Sequence, residues 1–161
     1  MDIIQHVVID GFLDEKTSKT LIDQLVNKNR IHLMISSVGG SVGPTLDVIK
    51  VIETIPDSTA IVFGAESAPA TIALACKSRL ITENAKFNLH TGRFGFESCN
   101  SRDGKIPRHL LDDMERYQNY LFKRLQDLGF KDSQKIDLLR KTGWLKMPPE
   151  RWVDYKIFEW G

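Results

Sequence analysis

Ile35-Ser36-Ser37-Val38-Gly39-Gly40-Ser41-Val42, Gly64-Ala65-Glu66-Ser67-Ala68-Pro69-Ala70 and Phe87-Asn88-Leu89-His90 are the three segments from which the architecture follows. They bring a Gly-Gly turn after an apolar strand, a Ser ahead of Pro at a helix start, and a lone His at a strand end. Runs rich in β-branched and apolar residues predict strands at 32–36, 60–63, 79–82 and 86–89. Gly39, Gly40 and Gly43 break the chain, after which Val48, Val51, Ile52 and Ile55 form one helical stripe ending at Pro56. The small apolar residues 69–76 predict a second helix, whose first turn tolerates Pro because that N–H has no intrahelical partner anyway. Strands alternating with helices across short connections are the signature of parallel βαβ units, which place functional groups at the carboxyl ends of strands. The glycines and Ser67 fall at such ends.

Outward from this centre, residues 3–9 read as a strand, Asp10-Gly11 as a turn, and residues 14–27 as a helix carrying Leu21, Ile22, Leu25 and Val26. Residues 91–105, with Gly, Ser and Asn, read as an exposed loop. A long helix then follows, with Leu110, Met114, Tyr117, Leu121, Leu125 and Leu128 on one seam and Arg116, Lys123, Arg124 and Gln126 off it. No internal repeat or low-complexity segment is visible.

At 161 residues, with 42% hydrophobic and 27% charged side chains, the chain suits one domain spanning residues 1–161 with a buried core. The net charge of +1, from 22 basic and 21 acidic residues, calls for neither nucleic acid nor an anionic membrane. Cys76 and Cys99 fit no metal-binding or Cys-x-x-Cys spacing and read as reduced thiols, and neither a metal nor a cofactor is implied. No secretory signal is present, and no apolar run approaches the roughly 20 residues of a bilayer span, so the expected compartment is the cytoplasm.

Ser67 at a helix start reads either as an N-cap alone or as a nucleophile, since a helix N-terminus carries partial positive charge and free N–H groups beside the hydroxyl. Ala68 N–H is the natural donor to an oxyanion. Gly39-Gly40 is either a plain turn or a segment whose missing side chains allow close approach of a ligand, with Gly40 N–H as the second donor. His90 is either structural or a general base near neutral pH. His6, His32 and His109 have no comparable company.

These segments resemble the Clp protease proteolytic-subunit family, of the fold group that also contains the crotonases. The similarity runs from the strand at 6–9 to Pro148-Pro149-Glu150. The family's Asn-Ser-Pro-Gly-Gly is matched by Ser36-Ser37-Val38-Gly39-Gly40, its nucleophile segment by Gly64-Ala65-Glu66-Ser67-Ala68-Pro69-Ala70, and its His segment by Asn84-Ala85-Lys86-Phe87-Asn88-Leu89-His90. Counting forward from Gly64 puts Ala68 at the nucleophile position, whereas counting back from Arg79 and His90 selects Ser67. The 23 positions from Ser67 to His90 resemble the shorter, phage-type members, and one residue lost from a loop is easier to absorb than a shift inside a packed helix.

The resemblance implies an α/β fold of stacked ClpP/crotonase-like βαβ units with a protruding handle helix, assembled into homo-oligomeric rings. The implied activity is a serine endopeptidase acting on peptides or proteins, with Ser67 and His90 catalytic and Gly40 and Ala68 as the oxyanion hole. The family's Asp falls at Thr142, so the third member is open; Asp137, the nearest acid upstream, is the candidate, and a solvated helix charge is its other reading. Because the sequence starts almost at its first strand, without the family's axial pore loops, an unfoldase ATPase partner stays open. The missing Asp leaves a catalytically silent structural subunit as one alternative, and a crotonase-type acyl-CoA enzyme is another. The long apolar seam is expected to be an assembly surface or ordinary core.

Overall fold

A computed structural model describes residues 3–92 and 105–161. Cys99 and most of the segment expected as an exposed loop lie outside the described residues; of that segment, Thr91 is buried and Gly92 half-buried. The chain order is β1 (Gln5–Ile9), α1 (Glu15–Leu25), β2 (Arg30–Ser37), α2 (Val42–Glu53), β3 (Asp57–Glu66), α3 (Ala68–Ala75), β4 (Ser78–Ile81), β5 (Phe87–His90), α4 (Arg108–Asp127), α5 (Ser133–Thr142), β6 (Trp144–Met147), α6 (Pro149–Asp154) and β7 (Glu159–Trp160).

The strand–helix alternation builds an α/β fold on a parallel sheet in the order β1-β2-β3-β4-β7. Ile31, Leu33, Ile35 and Ser37 alternate inward along β2, while Val48, Ile49 and Ile52 of α2 are buried in the same core as the β2 aliphatics. Asp14 starts α1 with a capping box, its carboxylate accepting from Thr17 N–H at 2.8 Å while Thr17 Oγ1 accepts from Asp14 N–H at 2.8 Å. Gly43, expected to break the chain, lies instead inside the first turn of α2.

The ten-residue β3 is longer than the 60–63 run implied, and it serves two neighbours. Thr59 to Val62 pair with β4, whereas Ala65 and Glu66 pair with Phe87 and Asn88 of β5. Between these stretches the register against β2 slips, Ile35 facing Val62 and Ser36 facing Gly64, so Phe63 is the extra residue of a bulge. Bulges bend a strand and re-aim its end; here β3 leaves β4 and joins β5, which pairs antiparallel with β6.

Every residue of α3 is buried, as an apolar sequence on all sides requires. The helix packs against β3, α2 and β5, and α4 adds polar ties across it. Tyr117 OH and Thr71 Oγ1 share a hydrogen bond at 2.7 Å. Arg124 reaches the C-terminal end of α3, donating to Leu74 O at 2.6 Å and Cys76 O at 3.2 Å, and Arg79 donates to Cys76 O at 2.6 Å. These bonds occupy carbonyls that a helix end leaves without intrahelical partners. The middle of the expected seam is core of the chain itself: Met114, Tyr117, Leu121 and Leu125 are buried, whereas Leu110 and Leu128 at its ends are half-buried.

Candidate active site

Ser67 and His90 sit at the carboxyl ends of two neighbouring parallel strands. The β3–β5 ladder pairs Glu66 with Asn88, and Ser67 N–H continues it by donating to Asn88 O at 3.0 Å. Asn88 Nδ2 also donates to Glu66 Oε1 at 3.1 Å, tying the two strand ends together. The chain then turns sharply from β3 into α3 at Ser67, which adopts φ +63°, ψ −126°. A non-glycine residue in that region carries about 1–3 kcal/mol of strain and persists only where its surroundings hold it. Ser67 makes no side-chain cap to its helix, and its Oγ lies 3.3 Å from His90 Nδ1. Ala68, one residue on, carries only a methyl group and opens the helix.

One face of the imidazole is covered by a residue that sequence reading does not assign to the site. In the β5–β6 pair, His90 faces Trp144, and the two rings stack with centroids 3.9 Å apart and an interplanar angle of 13°. Lys146 Nζ lies 4.7 Å from the centre of the same indole. Close to the ring, Gly143 closes α5 at φ +80° and accepts from Thr91 N–H at 2.9 Å. A Cβ on Gly143 would lie 3.2 Å from Thr91 Oγ1 and 4.0 Å from His90 Nε2, so the absent side chain lets the backbone pass directly beside the imidazole.

Gly40 approaches the Ser67–Ala68 corner from the β2–α2 turn. That turn is anchored to the segment before α1: Leu13 N–H donates to Gly39 O at 3.2 Å, and Ser41 N–H donates to Leu13 O at 2.8 Å. A Cβ on Gly40 would stand 2.8 Å from Leu13 Cβ and 3.1 Å from Ala68 Cβ, which shows how closely the Gly40 and Ala68 backbones meet. Among the described residues neither N–H donates to a protein acceptor, and Ala68 begins a helix whose positive end faces the same place.

A cleft of about 520 Å³ opens over this group, between the Gly39–Gly40 turn and α4, with Ser67, His90 and Trp144 among its lining residues and Asp113, Met114 and Tyr117 contributed by α4. Asp137 is exposed on α5 and makes no hydrogen bond or ion pair among the described residues. Thr142 uses its hydroxyl locally, 2.7 Å from Leu138 O and 3.0 Å from Trp144 O. Among the described residues no three His, Cys, Asp or Glu side chains gather as a metal site, and no helix is long and apolar enough to cross a membrane. Cys76 is buried away from the cleft, and burial pushes its thiol up to about 12.

The sequence model of the Clp protease family matches residues 4–136. The chain belongs to the Clp protease family. That match includes Gly40, Ser67, Ala68 and His90, and stops short of Asp137, Gly143 and Trp144. No curated protein sequence matches the chain. Among solved structures it is similar to an Asn-to-Asp mutant of ClpP1 from Listeria monocytogenes, at 20% identity, over 96% of this chain and 88% of that one, with a TM-score of 0.72. At that identity the likeness establishes the ClpP fold.

Proposed function

We propose that this chain is a serine endopeptidase of the Clp type that cleaves peptide bonds through an acyl-enzyme. Membership of the Clp protease family supports a peptidase in general; the observation that carries the specific reading is Ser67 Oγ at 3.3 Å from His90 Nδ1 on a strained strand-to-helix turn. In the first step Oγ attacks the carbonyl carbon while its proton passes to Nδ1, which requires the neutral imidazole to hold its proton on Nε2. The carbonyl oxygen, now negative, sits against the N–H groups of Gly40 and Ala68 at the positive end of α3. The C–N bond breaks as Nδ1 returns the proton to the leaving amine. Water then attacks the acyl carbon as Nδ1 takes its proton, and the ester C–O bond breaks with that proton returned to Ser67 Oγ, releasing the acid.

The stacked indole of Trp144 covers one face of the imidazole and resists its tilting, which helps to keep Nδ1 directed at Ser67 Oγ. The working machinery is the Ser67–His90 pair; Asp137, exposed on α5, is a candidate third member whose part is small in this reading. As in the family, the assembly we infer is a homo-oligomeric ring acting on peptide or protein substrates in the cytoplasm, with an unfoldase partner left open. Hydrolysis of fluorogenic peptides by the wild type and by Ser67→Ala tests the reading: activity that survives the substitution removes Ser67 from the mechanism.

A further inference from the structure

We infer that the cleft selects substrates with Lys or Arg beside the scissile bond, and that Asp113 is the carboxylate that selects them. The inference rests on the peptidase reading above. Asp113 stands three residues after Leu110 and four before Tyr117, on the face of α4 that an amphipathic helix gives to apolar side chains. A carboxylate there is the unusual case: its side chain is only 21% exposed, and it lines the cleft beside Met114 and Tyr117. Among the described residues lining that cleft it is the one Asp, Glu, Lys or Arg. The start of α2 makes room for it, since a Cβ on Gly43 would lie 3.1 Å from Asp113 Oδ2. The other carboxylate oxygen, Oδ1, is held by Arg116, whose side chain is largely exposed and outside the cleft lining.

The neighbouring walls, Val42, Pro44, Leu110, Met114 and Tyr117, are apolar or aromatic. A mostly apolar lining that carries one carboxylate fits a side chain with an aliphatic stem and a cationic head. Lys and Arg have that form; a Glu or Asp side chain would bring like charge to a partly desolvated carboxylate. A Leu or Met side chain fits that lining and leaves the carboxylate covered without a substrate partner. Arg116 competes with the substrate cation for Asp113, and its exposure makes it the weaker partner once a substrate covers the cleft.

Two measurements together test this. Cleavage sites mapped by mass spectrometry in a chemically unfolded carrier protein should be enriched in Lys and Arg at one of the two positions flanking the cut. Peptides differing only in Lys against norleucine at that position should differ by roughly 10-fold in kcat/KM, as a charge-assisted contact gives. Asp113→Asn should bring that ratio close to one, Arg116→Ala should raise it, and added salt should lower it in the wild type, a comparison that needs no folded variant. Cleavage without basic enrichment, or a ratio that Asp113→Asn and salt both leave unchanged, overturns the inference while leaving the peptidase standing. Failure to cut any peptide overturns the peptidase reading and this inference with it.

Discussion

Gly40→Ala probes the proposed oxyanion site without removing any group assigned to move a proton. The added Cβ would stand 2.8 Å from Leu13 Cβ, 3.1 Å from Ala68 Cβ and 3.3 Å from Leu13 O. None of these is the free end of a flexible side chain. Leu13 is 3% exposed, and its N–H and carbonyl are both bonded to the same turn, at 3.2 and 2.8 Å, so it cannot withdraw by itself. Restoring the 3.4 Å of ordinary contact from 2.8 Å requires a shift of about 0.6 Å, which the Gly40 backbone must largely absorb. Overpacking of this kind costs about 1–3 kcal/mol, or roughly 2–10 °C in Tm for a chain of this size. The loss in catalysis should be larger, on the order of 10-fold or more, because misplacement by about 1 Å forfeits about 100-fold and the shift here is somewhat over half of that. The assay is kcat/KM on one fluorogenic peptide beside a thermal melt. Gly39→Ala is the control: its Cβ would meet only the ring of the exposed Phe12 at 3.3 Å, so activity should stay within about 3-fold. A folded Gly40→Ala protein with wild-type turnover would refute the placement of the oxyanion at Gly40.

Trp144→Ala removes the ring stacked 3.9 Å from His90 and should lower kcat by about 10-fold with little change in KM, while Trp144→Phe recovers most of it; equal losses in both variants would show that a flat ring is not what holds the imidazole. Asp137→Asn should change peptide hydrolysis by less than about 2-fold, because the side chain is exposed, and a large loss would make Asp137 the third catalytic member. Tyr117→Glu or Leu121→Glu should unfold the chain rather than dissociate an oligomer, at a cost of at least about 3 kcal/mol, since both residues are at most 1% exposed within one subunit; denaturant melts beside light scattering separate the two outcomes. Burial raises Cys76 from 9.0 to about 12 and Tyr117 from 10.0 to about 12. Below pH 9 both groups hold their protons folded and unfolded; between about pH 9 and 12 only the folded chain keeps them, so stability should fall as pH rises through that window. Cys76→Ala and Tyr117→Phe should each flatten that decline.

The βαβ core was legible because its signals are local. Pro56, Gly39-Gly40 and Pro69 mark element ends through their own backbone restrictions, and the stripe of Val48 and Ile52 announces α2 through periodicity. Ser67 and His90 stood out as strand-end residues, but their contact depends on β3 leaving β4 for β5 at the Phe63 bulge, a pairing choice with no sequence period. Trp144 escaped for the same reason: its meeting with His90, 54 positions earlier, is set by the antiparallel register of β5 and β6, which no local pattern encodes.

The seam of α4 was legible as an apolar face but not as to what covers it. Periodicity shows that Tyr117, Leu121 and Leu125 turn one way, and only the tertiary structure shows that they are buried within their own chain, with Tyr117 bonded to Thr71 of α3. A third member beside Ser67 and His90 stayed open because the sequence resemblance offers Thr142 rather than an acid there, and the Thr142 hydroxyl is engaged at the end of α5.

Covalent labelling with a fluorophosphonate, followed by intact-mass and peptide mass spectrometry, is the sharpest test of Ser67 as nucleophile, since it asks for an activated serine and needs no knowledge of the substrate. A single adduct on Ser67 is expected, absent in Ser67→Ala and strongly slowed in His90→Ala, because Oγ loses the acceptor that stands 3.3 Å away. A natively folded, assembled protein that takes no label, or takes it on another residue, would contradict the mechanism and leave a ClpP-like subunit without peptidase chemistry.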